Sequence, residues 1–284
     1  MAVYTMEHNP TMAGMLEQKV NIPFACPDGH QLCLQMVKPM WKSGGKGFPM
    51  VLFIQGSGWT KPDQFWQLPQ MSLLARRGYV IASVTHRSSE EAPGPAFLQD
   101  VKTALRFLRA HAEEYDIDKE RVCAWGTSSG GNTALLLGMT GDTREFDTEE
   151  YGEESSAVQA VVDCFGPTDL GAMYDRIGTG AHGPIIDALV MLVCGQQEGL
   201  EERRRKLSPV SYVTAEKKIP PMLMLHGDAD QIVWLKDTRA MYDLMVETGH
   251  EVDLVEVSNA PHEETFWSLE LLEVIFAFIQ KHLG

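Results

Sequence analysis

Arg121-Val122-Cys123-Ala124-Trp125-Gly126-Thr127-Ser128-Ser129-Gly130-Gly131-Asn132-Thr133 is the stretch on which the fold turns. Four apolar residues break into a glycine- and serine-rich turn, and the chain runs on into Ala134-Leu135-Leu136-Leu137, so the pattern is strand, sharp turn, helix. A G-x-S-x-G stretch in that setting is a nucleophile elbow: Ser128 sits at the tip in strained backbone geometry, and the flanking glycines keep Cβ atoms out of the crowded turn. Five residues alone recur by chance as an ordinary turn. The deciding test lies downstream, because only the catalytic reading requires an acid and then a histidine, each just past a later strand.

Outward from this stretch, strands and helices alternate. Residues 15–24 and 31–37 carry alternating apolar positions about Asp28-Gly29, which predicts an antiparallel hairpin. Residues 49–54 are apolar in succession, as in a strand buried on both faces, and they deliver the loop Gln55-Gly56-Ser57-Gly58-Trp59. A helix is expected over 65–77 and a strand over 79–84. The next helix, over 97–111, is amphipathic, with Arg106 and Arg109 facing water. Residues 145–154 read as an acidic, solvated loop rather than a metal site, since their carboxylates follow no ligand spacing. Strands follow at 158–165, 221–225 and 252–257, with helices at 236–248 and 265–282. Residues 170–207 form a helical insertion able to roof a site. The expected architecture is α/β: one domain over 1–284, built on a mainly parallel sheet with helices on both faces.

Composition narrows the function classes. The 284 residues carry 24 basic and 39 acidic side chains, a net charge of −15, which repels phosphate backbones and anionic membranes; neither nucleic acid nor a membrane is expected as partner. Residues 1–14 lack the basic start and apolar run of a secretory signal, and residues 181–195 are too short for a membrane span and contain His182 and Asp187. Five cysteines without C-x-x-C spacing suit reduced thiols in a cytoplasmic protein. No P-loop is present, Gly126 to Gly131 lacks G-x-G-x-x-G, and Phe266 stands where H-E-x-x-H needs its second histidine. No metal or organic cofactor is expected.

Parallel strands point their C-terminal ends to one edge, so chemistry collects there. After the Ser128 strand, one strand delivers Asp228 and Asp230, and the last delivers Ser258-Asn259-Ala260-Pro261-His262. Ser, Asp, His is the order of α/β-hydrolases. His262 would take the Ser128 proton as general base, and a carboxylate would fix its tautomer; spacing leaves both aspartates open. Singly these residues are a surface histidine and a polar turn, and only jointly do they point to catalysis. Ser57, Gly58 and Ser129 are placed to donate backbone N–H groups to an oxyanion. Trp59, Trp66 and Phe165 are expected at the mouth as substrate-binding residues. His86 and His226 sit at strand ends, lining the pocket or satisfying backbone groups.

At these residues the chain resembles the α/β-hydrolase esterases of the feruloyl esterase and acetyl-xylan esterase-like group, near hormone-sensitive-lipase-like esterases and kynurenine formamidases. Gln55-Gly56-Ser57-Gly58-Trp59 resembles the H-G-G-G-W oxyanion loop, Gly126 to Gly131 is similar to G-x-S-x-G-G, and His226-Gly227-Asp228-Ala229-Asp230 with Val233 matches H-G-x-x-D-x-x-V. Residues 161–170 and 208–213 also look like the family. The resemblance implies an eight-stranded sheet with a small helical lid at about 170–207, and Asp230 as the acid. It further implies a carboxylesterase cleaving short acyl or hydroxycinnamoyl esters of a small molecule or oligosaccharide through an acyl-enzyme. A general small-molecule carboxylesterase or arylformamidase is the alternative, then a non-catalytic binding module, which would normally have lost the serine or histidine. A homodimer is left open. Gln55, Ser57 and Gln231 depart from the usual His, Gly and Pro, and Glu263-Glu264 replace small residues after the histidine.

Overall fold

In the computed structural model, which describes residues 1–195 and 198–284, eight strands build one sheet. They are β1 (Leu16–Ala25), β2 (Leu32–Pro39), β3 (Phe48–Ile54), β4 (Val80–Val84), β5 (Ile117–Thr127), β6 (Ala160–Cys164), β7 (Met222–Gly227) and β8 (Val252–Val257). The helices are α1 (Leu68–Ala75), α2 (Ala96–Ala110), α3 (Ala112–Tyr115), α4 (Ser129–Thr140), α5 (Leu170–Asp175), α6 (Pro184–Cys194), α7 (Leu200–Lys206), α8 (Leu235–Glu247) and α9 (Leu269–Leu283). The spatial order is β1-β2-β4-β3-β5-β6-β7-β8, antiparallel in the β1–β2 and β2–β4 pairs and parallel elsewhere. The β1–β2 hairpin stands where Asp28-Gly29 predicts it.

Successive residues of the inner strands serve opposite faces, which is why these strands read as unbroken apolar runs. Val51, Phe53, Cys123, Trp125 and Val162 pack with α1 and α9, whereas Met50, Leu52, Ala124, Val161 and Met222 pack with α2, α4 and α8. Each fully buried valine, leucine, phenylalanine or methionine among them contributes roughly 1.5–3 kcal/mol, so the two cores hold β3, β5 and β6 rigidly beneath the edge that carries the site. The expected insertion over 170–207, apart from residues 196 and 197, which lie outside the described residues, consists of α5, α6 and α7. Val190, Val193 and Cys194 of α6 face the core, while Ile185 and Met191 on its other side are exposed. Among the described residues no helix is long and apolar enough to cross a membrane, and all five cysteines are free thiols.

Three expectations change. The helix expected over 65–77 is α1, which begins only at Leu68: Pro69 is preset for a first helical turn, and the Asp63 carboxylate caps a separate turn by accepting from Phe65 N–H at 2.9 Å. Arg106 and Arg109 do not face water. Arg106, fully buried, donates to Glu150 O (3.1 Å), Ser156 Oγ (3.0 Å) and Thr148 Oγ1 (2.8 Å). It shares Asp147 with the Lys102 ammonium at 3.1 and 2.9 Å. Arg109 donates to Lys119 O (3.0 Å) and Ala157 O (2.7 Å). The 145–157 segment lies over the polar face of α2, and its carbonyls, which pair with no strand, accept from the guanidinium groups that α2 turns toward it. The acidic loop is therefore partly a buried ion-pair layer rather than a wholly solvated strip. Burial pushes the Lys102 ammonium down, and although burial also opposes the Asp147 anion, Lys102 and Arg106 hold that carboxyl below its ordinary value.

Candidate active site

β5 ends at Thr127, Ser128 follows with φ 51° and ψ −124°, and α4 begins at Ser129. A serine at positive φ costs of order 1–3 kcal/mol, and it persists because the surroundings over-determine it. Ser128 N–H donates to Cys164 O at 2.9 Å, tying the elbow to β6. A Cβ on Gly126 would lie 2.0 Å from Gly130 O, and one on Gly130 would lie 2.0 Å from Ile54 O. Only glycine at both positions lets strand, turn and helix approach this closely.

β7 and β8 deliver the other two side chains to the same edge. Ser128 Oγ stands 2.9 Å from His262 Nε2, and His262 Nδ1 stands 2.7 Å from Asp230 Oδ2. The other carboxylate oxygen accepts the N–H groups of Ile232 (2.8 Å) and Val233 (3.0 Å). Burial by itself would push the Asp230 pKa up; hydrogen bonds from His226 and His262, the charge of His262 and the Ile232 N–H overcome this and hold it well below the usual carboxylate range. The carboxylate is thus ionised and locked, as orientation of a histidine base requires. Asp228 is exposed and accepts the N–H of Asn259 at 2.5 Å, bracing the loop that carries His262 instead of touching the imidazole. Geometry separates the two aspartates that spacing left open.

The expected oxyanion loop runs past the elbow, but its own bonds decide which donors remain. Gly56 N–H donates to Thr127 Oγ1 and Ser57 N–H to Ser129 Oγ, each at 2.9 Å. Ser57 is therefore corrected as a donor: the hydroxyl of Ser129, in the variable position of the motif, takes its N–H. No bond within the loop or the elbow uses the N–H of Gly58 or of Ser129. Ser129 opens α4, where the first N–H groups have no intrahelical acceptor and the helix dipole favours negative charge. Leu189 of α6 packs over Gly58, where a Cβ would come 2.5 Å from its Cδ1, so the insertion holds the loop down.

The three expected mouth residues part company. Trp66, 63% exposed in the turn before α1, lines the catalytic cleft. Trp59 does not: it is 3% exposed, its indole N–H donates to Asn132 Oδ1 at 3.3 Å, and its ring packs near Phe97. Phe165 is fully buried and meets the edge of the His262 ring at a centroid distance of 4.7 Å, forming a wall behind the imidazole in place of a substrate contact. The cleft, about 350 Å³, is lined by residues 55–58, Asp63, Trp66, Ser128, His262, Glu263 and Glu264. Glu263 also accepts the Trp267 indole N–H at 3.2 Å. A larger cavity, about 760 Å³, lies between the 89–93 segment and α6 and α7 and includes neither Ser128 nor His262. Asp63 carries no sequence signal for a place in the site, since it reaches the cleft through chain folding alone. Among the described residues no three His, Cys, Asp or Glu side chains converge as a metal site.

Comparison with known proteins bears on this geometry. The model of the BD-FAE family matches residues 35–245. LipM of Mycobacterium tuberculosis, described as a probable carboxylic ester hydrolase, is 28% identical over 251 residues, covering 83% of this chain and 56% of LipM. The chain spans about half the length of the curated relatives it matches. Among solved structures, the thermophilic esterase Est2 of Thermogutta terrifontis with butyrate bound superposes with a TM-score of 0.75 at 26% identity, over 96% of this chain and 95% of that one. A truncated carbohydrate esterase from gut microbiota superposes with a TM-score of 0.78 at 23% identity over 96% and 98% of the two chains, a likeness of fold.

Proposed function

This chain belongs to the BD-FAE family, and from that premise we propose that it is a serine carboxylic ester hydrolase acting through Ser128, His262 and Asp230. The observation that carries the proposal is the unbroken chain Ser128 Oγ, His262 Nε2, His262 Nδ1, Asp230 Oδ2, with links of 2.9 and 2.7 Å at the tip of a strained elbow. Ser128 Oγ attacks the acyl carbonyl while its proton passes to His262 Nε2. Asp230 holds the imidazole in the tautomer that can accept and stabilises the imidazolium that forms. The oxyanion is met by the N–H groups of Gly58 and Ser129. His262 then returns the proton to the departing alcohol oxygen, and water repeats the sequence on the acyl-enzyme to release the acid.

For the substrate we propose short acyl esters, including acetyl and hydroxycinnamoyl esters on carbohydrate. A cleft of about 350 Å³ is at the small end for ligand sites and suits a compact acyl group better than a long chain. Est2 structures carry butyrate and propionate, and a carbohydrate esterase shares the fold. The exposed Trp66 face suits a sugar or aryl ring, and Asp63, Glu263 and Glu264 along the cleft disfavour anionic substrates. The rival is a general small-molecule carboxylesterase or arylformamidase. Rates on acetylated xylan, methyl ferulate, p-nitrophenyl esters of rising chain length and N-formylkynurenine separate these readings. Ser128→Ala is expected to remove all such activity while the protein stays folded; full activity in that variant sinks the proposal.

A further inference from the structure

His226 is the second residue from the end of β7, fully buried, and the mechanism above makes no use of it. Its Nε2 lies 3.1 Å from Asp230 Oδ2 and 2.9 Å from Val233 O, and its Nδ1 lies 2.8 Å from Thr238 Oγ1. Two acceptors at Nε2 fix the proton there, which leaves Nδ1 bare to accept the hydroxyl hydrogen of Thr238, itself buried in α8. Asp230 Oδ2 therefore receives an N–H from each of two histidines. A strand-end histidine that only satisfied backbone would need Val233 O and nothing more; this one also reaches the carboxylate that orients the base.

We infer that His226 is a positioning residue of the reaction: with Thr238 behind it, it fixes the Asp230 carboxylate and takes up part of its negative charge, thereby setting how strongly Asp230 holds His262. The inference rests on the serine-hydrolase reading. Its physical basis is the low dielectric of the site, where each donor on a buried carboxylate counts for more than it would in water. The His226 bond is 3.1 Å against 2.7 Å for His262, so His262 remains the dominant partner while His226 tunes it. Without His226, Oδ2 would have one restraint fewer and would direct more charge toward His262, favouring the imidazolium. Asp163, buried in β6, and Glu256 on β8 also interact electrostatically with His226, and both stay in place in the test.

The experiment measures kcat, KM and the pH dependence of kcat/KM with p-nitrophenyl acetate for His226→Leu, His226→Gln and Thr238→Val, alongside thermal melting. His226→Leu keeps the volume but removes the donor; kcat is expected to fall about 10- to 100-fold with KM nearly unchanged, the size associated with losing a bond to a buried charge. Its acidic limb should move to higher pH. His226→Gln restores an amide donor near the Nε2 position and should recover most of the lost kcat and return the limb toward wild type. Thr238→Val frees Nδ1 and should give a smaller change in the same direction. A folded His226→Leu with wild-type kcat and limb overturns the inference, as does a Gln variant no better than Leu. If His226→Leu does not fold, a folded Thr238→Val with unaltered kcat and limb overturns it. Activity surviving in Ser128→Ala would instead remove the underlying hydrolase reading, an outcome distinct from any of these.

Discussion

Replacing Asp230 by asparagine changes one atom and should nearly abolish turnover. In the wild type one carboxylate oxygen accepts the Ile232 and Val233 N–H groups at 2.8 and 3.0 Å, and the other accepts from His262 at 2.7 Å and His226 at 3.1 Å. The asparagine oxygen must serve the two backbone donors, which turns its NH₂ toward His262 Nδ1, so two donors face each other at hydrogen-bond distance. The imidazole escapes by moving its proton to Nε2, where it points at Ser128 and cannot accept. The expected loss in kcat is on the order of 10⁴, about 5.5 kcal/mol of transition-state stabilisation. Asp228→Asn, on an exposed side chain that braces Asn259 N–H, should cost only a few-fold. The assay is p-nitrophenyl acetate turnover with thermal melting on the same samples. The melts carry a second signature: because the Asp230 pKa is lowered by folding, its contribution to stability is present above the ordinary carboxylate pKa and is lost as pH falls through the lowered one, so Asp230→Asn should not show that loss of stability on acidification. An Asp230→Asn enzyme within tenfold of wild type, or an Asp228→Asn enzyme that is the worse of the two, refutes this reasoning.

Asp147→Ala strips the anion from Lys102 and Arg106, both fully buried, and should cost about 3–5 kcal/mol in urea denaturation; a loss below about 1 kcal/mol would mean the loop does not cover α2 as described. Asp163 is fully buried in β6, and burial pushes its carboxyl from the ordinary carboxylate range up to about 7, so stability is full below the ordinary pKa and is lost as pH rises toward 7. Asp163→Asn, neutral throughout, should gain on wild type by up to about 4 kcal/mol between pH 4 and pH 8, and a stability difference that does not vary with pH would contradict this.

How much of this was legible beforehand depends on where each interaction's partner lies in the chain. Alternating apolar runs, the glycine-bracketed Ser128 and the order Ser128, Asp230, His262 are local patterns, and a parallel sheet brings its strand ends to one edge whatever the details, so the fold and the candidate site at that edge are legible in the residues alone. The resemblance of residues 226–233 implies Asp230 as the acid. What depended on covering was decided only by tertiary structure. Trp59 leaves the mouth because Asn132, 73 residues later, takes its indole N–H, and Ser57 loses its free donor to a hydroxyl 72 residues away. Arg106 is buried because a loop some forty residues on lies across a helix face whose periodicity, read alone, places it in water. His226 shows both sides at once. Its position at the end of a strand is a local pattern, while its bond to the Asp230 carboxylate exists only because the turn after β7 folds back over the ring and α8 brings Thr238 against its other nitrogen. Periodicity reports which side of an element a residue occupies, and only the packed chain determines what is on that side to meet it.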